Sequence, residues 1–361
     1  MTHFCCKTRI VSGRGALGEL GKLGAKRLLL VTDPFFVQNG VAEEIAQQAG
    51  AEETEVFSQV APDPDVALAA KGTARVQAFK PDVLVALGGG SAMDLAKAMV
   101  YFSGLPIRLV AIPTTSGSGS EVTDFSILTH QGVKHPLVDE ALVPEVAILE
   151  DRLLEKLPPA LIADTGFDVL AHCAEAFVAT GAGAVSDALA KDAFCRVLTK
   201  LEDSYRGNKG VRLELHNAAT MAGMAFSQAG LGLCHAMAHA LGGRFHVAHG
   251  RLNAILLPAV ISANAYAAGS RYAALARGAG LGGSADAVAV RNLKNALVEL
   301  RKRLALPQTL VEAGVSSRAV WQEREALVAA VLADPCCMTN PAKVDGSLVR
   351  QVLEAVVGRG G

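Results

Sequence analysis

Over the first 150 residues, short Leu-rich or β-branched runs alternate with helical patterns, and this alternation most narrowly limits what the chain can fold into. Such runs are too short for buried helices; separated by helices, they pair as parallel strands covered on both faces. Leu28-Leu29-Leu30-Val31-Thr32 reads as one of these strands, ending at Asp33-Pro34, with a helix near Val41 to Gln48. A short run Glu55-Val56-Phe57 follows, then the turn Ala61-Pro62-Asp63-Pro64 and a helix from about Asp65 to Phe79. Val83-Leu84-Val85-Ala86-Leu87 runs into Gly88-Gly89-Gly90 and a helix predicted over Ala92 to Tyr101, while Leu109-Val110-Ala111-Ile112 runs into Pro113-Thr114-Thr115. Beyond Leu157-Pro158-Pro159 the chain becomes Ala-rich, with apolar residues at helical spacing. Residues 1–157 are therefore expected to form an α/β domain and 158–361 an all-helical one, with Gly269 and Gly278 to Gly283 marking loops between helices.

Composition excludes several functions. Hydrophobic residues are 51% of the 361 and charged residues 19%, which rules out a disordered chain and predicts a heavily buried protein, at least a homodimer. The 34 Lys and Arg balance 35 Asp and Glu, so no electrostatic footprint for nucleic acid or an anionic membrane exists, and the partner should be a small molecule. Seven cysteines without a C-x-x-C pair suggest neither a disulfide framework nor a thiolate zinc site, and fit a reducing cytoplasm. Met1 to Gly13 lacks a signal-like apolar stretch, and no continuous apolar run reaches about 18 residues, so a soluble protein is expected.

Two loops suggest an anion site. Gly88-Gly89-Gly90-Ser91 stands where a buried strand meets a helix, so free N–H groups and the helix dipole would converge on a phosphate, with Ser91 as N-cap or phosphate donor. Pro113-Thr114-Thr115-Ser116-Gly117-Ser118-Gly119-Ser120-Glu121 follows another strand, and ligands of open α/β sheets bind at the strands' carboxyl ends. A second constellation points to a metal. Asp168 and His172 share a helix face at i, i+4, as do His235 and His239, and His249 follows before Gly250. Imidazole and carboxylate together suit Fe(II), Zn(II), Co(II) or Ni(II), and three His with one Asp leave a position for a substrate oxygen. His135 and His246 lack such partners, and Cys234 reads as core.

Residues Gly88 to Ala98, Ile112 to Thr123, Asp164 to Glu175 and Met224 to Asn253 resemble the iron-containing (group III) alcohol dehydrogenase family. The match is Gly-Gly-Gly-Ser, Pro-Thr-Thr-Ser-Gly-Ser-Gly-Ser-Glu-Val-Thr, Asp-x-x-x-His, and Gly-Leu-Gly-Leu-Cys-His-Ala-Met-Ala-His with a later His-Gly, plus a tail from Asp334-Pro335 to Asn340-Pro341. Within the family the chain looks similar to the 1-propanol dehydrogenases of propanediol-degrading bacterial microcompartments, with the ethanolamine-pathway alcohol dehydrogenases also near. The resemblance implies a dehydroquinate synthase-like fold, a dinucleotide-binding domain plus an all-α metal domain with the active site between them. It implies metal ligands Asp168, His172, His235 and His249, with His239 in proton transfer. NAD(H) would be held by Asp33, Gly89, Gly90, Ser91, Thr114, Thr115, Ser118 and Lys134, with Fe(II), or Zn(II) or Co(II), as the metal. Phe226 matches a pocket aromatic, and Phe125 stands where some relatives carry a polar residue. With Leu231 and Leu233 these give an expected apolar wall for a short aldehyde or alcohol.

The implied activity is reversible NADH-dependent reduction of propionaldehyde or acetaldehyde to the primary alcohol. The implied place is the cytoplasm, within a microcompartment, beside an aldehyde dehydrogenase or other microcompartment enzyme. Rival readings are a polyol dehydrogenase or a dehydroquinate-synthase-like lyase, a metal-free maleylacetate-reductase-like enzyme, and a non-catalytic scaffold. A lyase needs more cationic residues than the apolar helices offer, and the complete ligand set argues against a metal-free enzyme.

Overall fold

The computed structural model describes residues 3–130 and 133–358, which divide into two compact units, Cys6–Leu157 and Pro158–Gly361, the latter joined by the residues before Cys6. In the first unit the strands are β1 (Arg9–Ser12), β2 (Arg27–Thr32), β3 (Glu53–Phe57), β4 (Val83–Gly88), β5 (Arg108–Pro113), β6 (Phe125–His130), β7 (Val133–Val138) and β8 (Val146–Leu149). Its helices are α1 (Pro34–Gln38), α2 (Val41–Ala49), α3 (Val66–Phe79) and α4 (Gly90–Ser103). The main sheet is parallel throughout, in the order β1-β8-β5-β4-β2-β3; β6 and β7 form a separate antiparallel pair.

Strand alternation sorts the core into two layers. Leu29, Val31, Leu84 and Ala86 pack with Ala69 and Val76 of α3 and Met93, Ala96 and Met99 of α4. Leu28, Leu30, Val83, Val85 and Leu87 face the other way, toward Ile45 of α2 and Leu17 and Leu20 of the turn before β2. From β2 the chain passes to β3 on one side and then to β4 on the other, so a topological switch point falls between the carboxyl ends of β2 and β4. The Thr32 hydroxyl donates to the Leu87 carbonyl at 2.9 Å and ties those two ends together.

The second unit holds α5 (Pro159–Val178), α6 (Ala184–Tyr205), α7 (Arg212–Ala229), α8 (Leu233–Phe245), α9 (His249–Gly278), α10 (Asp286–Arg303), α11 (Ser317–Gln322), α12 (Arg324–Ala333) and α13 (Gly346–Val357), and no strand among its described residues. α9 is long and apolar enough to cross a membrane by length and composition alone, but most of it is buried here as a core helix. Gly269 does not mark a loop as expected: it lies inside α9, beside a kink at Ala268, where φ is −128°.

α9 starts against α5 at very close range, since a Cβ on Gly250 would stand 1.9 Å from the Asp164 carbonyl oxygen. Gly250→Ala should therefore push the two helices apart and destabilise the unit by at least the upper end of the usual 1–3 kcal/mol for overpacking, about 3 kcal/mol. Gly269 has open space around its Cβ position, so Gly269→Ala should be neutral or stabilising by up to about 1 kcal/mol. Thermal melts of the metal-free protein separate the two outcomes.

Candidate active site

The switch point carries a cradle built from backbone. Gly88 has φ of +151°, and a Cβ there would lie 2.6 Å from the Ala92 Cβ, so only glycine fits the turn out of β4. Gly89, and not Ser91, is the N-cap of α4; the helix begins at Gly90, two residues before the predicted Ala92, and Ser91 lies in its first turn. With no side-chain cap, the first N–H groups of α4 are left for a ligand. The loop after β5 packs onto this turn: Thr115 Oγ1 lies 3.1 Å from a Gly89 Cβ position and Ser118 Cβ 3.3 Å from a Gly90 one, while the Thr114 N–H donates to the Gly88 carbonyl at 2.9 Å.

Asp33 ends β2 on the other side of the switch. Its Oδ1 accepts from the Phe35 N–H at 2.9 Å, capping α1, and its Oδ2 lies 3.9 Å from where a Gly88 Cβ would stand. Lys134 stands on β7, paired with Asp63 at 2.7 Å. Phe125 opens β6, and its carbonyl accepts from Lys97 at 2.7 Å. Lys97 is itself buried and also donates to the Thr123 carbonyl at 2.8 Å; Ser120 donates to Asp94 at 3.1 Å. Burial pulls the Lys97 ammonium down to about 8 against the pull of Asp94, Glu121 and Asp124, and pushes the Asp94 carboxyl up to about 6 against Lys97 and Ser120. These two α4 residues pin the segment that carries the second loop.

In the helical unit, α5, α8 and α9 bring ligand atoms of Asp168, His235 and His249 within 4.8 Å of one another, and His172 stands beside Asp168 but outside that close group. His249 Nε2, His235 Nε2 and His172 Nε2 lie 3.4, 3.8 and 3.9 Å from Asp168 Oδ1. The His172 ring is stacked between Phe226 at 4.4 Å and His235 at 4.5 Å, so Phe226 packs directly on the His172 imidazole. Leu233 of the expected wall is fully buried core. His239 points its Nδ1 at Asp334 Oδ2, 2.8 Å away, and its ring stacks on His249 at 5.2 Å. Cys234 is core as expected: burial, then Glu175 and Asp168, push its thiol well above the ordinary range.

The donor set fits a first-row divalent ion. Bonds of about 2.1 Å in a tetrahedron put donors about 3.4 Å apart, close to the separations around Asp168. The Asn253 amide nitrogen lies 2.8 Å from Asp168 Oδ1, 3.2 Å from His249 Nε2 and 3.4 Å from His235 Nε2. One amide nitrogen thus stands within hydrogen-bond range of a carboxylate oxygen and two ring nitrogens, a crowding of metal-ligating atoms at one buried point. Burial alone would raise the Asp168 carboxyl, yet His172, His249 and His235 hold it far below the usual carboxylate range. Burial alone would lower His235, but Asp168 and Glu175 carry it up to about 9, so protons and a cation compete for this place.

Sequence reasoning missed three supporting residues. Glu175 follows Asp168 at i+7 and His172 at i+3, on the same face of α5, so spacing alone could have found it. Asn253 is i+4 from His249, another readable spacing. Asp334 stands 95 residues from His239, and no local pattern announces it. His246 is exposed at the C-cap of α8, as expected of an ordinary residue, and the exposed His135 lies 6.2 Å ring to ring from His130.

Residues 7–151 match the family model for iron-containing alcohol dehydrogenase, and residues 162–357 the C-terminal model of the Fe-containing alcohol dehydrogenase family. The chain is 41% identical to 1-propanol dehydrogenase PduQ of Citrobacter freundii, over 99% of this chain and 100% of that one. It is 35% identical to an NADPH-dependent butanol dehydrogenase of Clostridium saccharobutylicum, covering 99% and 98%. Among solved structures, an iron-containing alcohol dehydrogenase of Thermococcus thioreducens superposes with a TM-score of 0.91 at 34% identity, covering 98% of this chain and 99% of that one.

The geometry separates His235 from His239. His235→Ala removes a donor facing Asp168 and should abolish retention of metal, whereas His239→Ala, whose Nδ1 faces Asp334, should keep the metal and lose turnover. Metal analysis of the two purified variants, beside their rates, checks this; equal metal loss in both would merge the two roles.

Proposed function

Since the chain belongs to the iron-containing alcohol dehydrogenase family, we propose that it reduces short aliphatic aldehydes such as propionaldehyde and acetaldehyde to primary alcohols with NADH, reversibly, using Fe(II). Asp168, His172, His235 and His249 would hold the metal, and their convergence around one buried carboxylate oxygen is the observation that carries the reading. When bound, the cation supplies Lewis-acid polarisation of the carbonyl oxygen and the nicotinamide supplies the hydride. The chain's own part is positioning and proton handling. Asp334 Oδ2, 2.8 Å from Nδ1 of His239, holds that ring in place and leaves Nε2 as the atom that would give and take the proton. The pull of His239 and the Cys336 N–H keeps Asp334 ionised despite burial. Phe226 on His172 keeps the metal side apolar, and Arg251 is engaged by Asp164 at 2.9 Å, so no free guanidinium from that helix start favours a carboxylate substrate.

The identity to a 1-propanol dehydrogenase over the whole chain supports a propionaldehyde-sized substrate. It also supports a place in the cytoplasm within a microcompartment, beside an enzyme that makes or consumes the aldehyde. The apolar composition supports a homodimer. An anaerobic panel of short aldehydes and diols with NADH tests the activity, using metal-free protein reloaded with Fe(II), Zn(II) or Co(II). Aldehydes should be reduced only after reloading, and light scattering of the same sample should give about twice 37.4 kDa. Full activity after chelation would sink the metal reading, diols outpacing aldehydes would favour a polyol enzyme, and failure to bind either metal or NADH would favour a scaffold.

We take NADH over NADPH from Asp33. A carboxylate at the end of β2, beside the Gly88 turn, accepts from ribose hydroxyls and repels a 2′-phosphate, and no Arg or Lys occupies the six residues that follow. Asp33→Gly should shift preference toward NADPH by about 1–3 kcal/mol. That variant also loses the cap on α1, so Asp33→Asn, which keeps an acceptor for the Phe35 N–H, isolates the charge. Comparable use of NADPH by the unaltered protein, or no shift in either variant, would remove the argument.

A further inference from the structure

α8 has no side-chain cap of its own, because its N-cap is Gly232. Its free amides are met from elsewhere. Asn340 Oδ1 accepts from the Leu233 N–H at 3.1 Å, and Glu175 takes three others: Cys234 at 2.6 Å, Gly232 at 3.1 Å and His235 at 3.3 Å. The same Glu175 Oε2 lies 2.6 Å from Nδ1 of His235. Glu175 is 2% exposed, so this is a buried carboxylate whose charge is placed on a helix N-terminus and an imidazole. Both approaches depend on Gly232: a Cβ there would stand 2.7 Å from Asn340 Oδ1 and 2.8 Å from Glu175 Oε1.

An imidazole offers Nε2 to a cation only with its proton on Nδ1, and that proton needs an acceptor in a buried place. We infer that Glu175 is a positioning residue for the metal centre, one carboxylate that caps α8 and fixes the tautomer, angle and donor strength of His235. This rests on the reading of Asp168, His172, His235 and His249 as metal ligands. α5 then supplies two direct donors, at 168 and 172, and from the same face the support for a third on α8. Outer partners of this kind set affinity as well as geometry, because a carboxylate on the far nitrogen makes the ring more basic toward the cation.

The test titrates metal-free protein with Co(II), following the visible d–d bands and competition with a chelator, beside a far-ultraviolet melt of the metal-free form. Glu175→Gln should weaken Co(II) binding about 10–100-fold and alter the bands. Asn340→Ala, which removes the Leu233 cap but leaves the Glu175–His235 contact, should lower the melting temperature with unchanged bands and affinity. The inference is overturned if Glu175→Gln keeps the bands and binds within about threefold of the parent, short of the loss expected of such a partner. It is equally overturned if Asn340→Ala matches Glu175→Gln in both readouts, since capping alone would then explain the effect. Should Glu175→Gln not fold, Gly232→Ala decides when read against Asn340→Ala, because it keeps the charge and displaces both the Glu175 and the Asn340 oxygens; bands altered beyond those of Asn340→Ala support the role and bands equal to them refute it. A parent protein that binds no Co(II) overturns the metal reading itself, whereas a parent that binds it and a variant that matches it overturn only the role of Glu175.

Discussion

Asp168 is a buried charge, and the helical unit is organised around the need to keep it ionised away from water. Taking a carboxylate out of water costs several kcal/mol even after relaxation, so it persists only where hydrogen bonds and positive charge surround it. Asn253 supplies the hydrogen bond and three imidazoles converge from different helices. That convergence explains otherwise odd choices in packing. Gly250 lets α9 begin in contact with the α5 backbone, and Gly232 leaves room beside α8 for Glu175, which in turn orients His235. Small residues stand where helices must approach closely enough for short side chains to meet.

The N-terminal unit solves a recognition problem by the opposite means. Its cradle uses backbone amides at a strand end, and the side chains there mostly define clearance: Thr115 and Ser118 press against Gly89 and Gly90. Charged side chains enter one step removed. Lys97 and Asp94 lie along α4 and hold the segment from Ser120 to Phe125 by hydrogen bonds to its carbonyl and hydroxyl groups. A rigid turn with bare N–H groups suits a ligand whose own phosphates bring the charge, whereas the helical unit must bring its own anion to a cation.

Strands β2 to β5, their order of appearance and the change to helices were legible because each rests on a local apolar pattern, whereas β8, an apolar run of only four residues, went unread. β1 is four residues with one Arg, and β6–β7 carries His130, His135 and Pro136 in place of clean alternation, so neither announced itself. Gly269 misled because glycine ordinarily ends helices, while here the buried face of α9 continues past the kink to Tyr272 and Leu275. Ser91 misled because a serine after glycines looks like a cap, yet Gly89 already has the extended conformation a cap requires. At the metal centre the i, i+4 pairs were legible and the i+7 carboxylate was readable but unread. Asp334 was not readable, since its meeting with His239 is made only by tertiary packing.

The four donors are spread over α5, α8 and α9, with His235 and His249 in the opening turns of their helices. A cation there would be a reversible cross-link between segments as far apart in the chain as Asp168 and His249. Loading then enters the folding equilibrium by mass action, about 2.7 kcal/mol at a free metal concentration a hundred times Kd. Losing such a cation would then loosen the helix bundle toward proteases as well as stop turnover, so metal supply would bear on how many copies survive and not on rate alone.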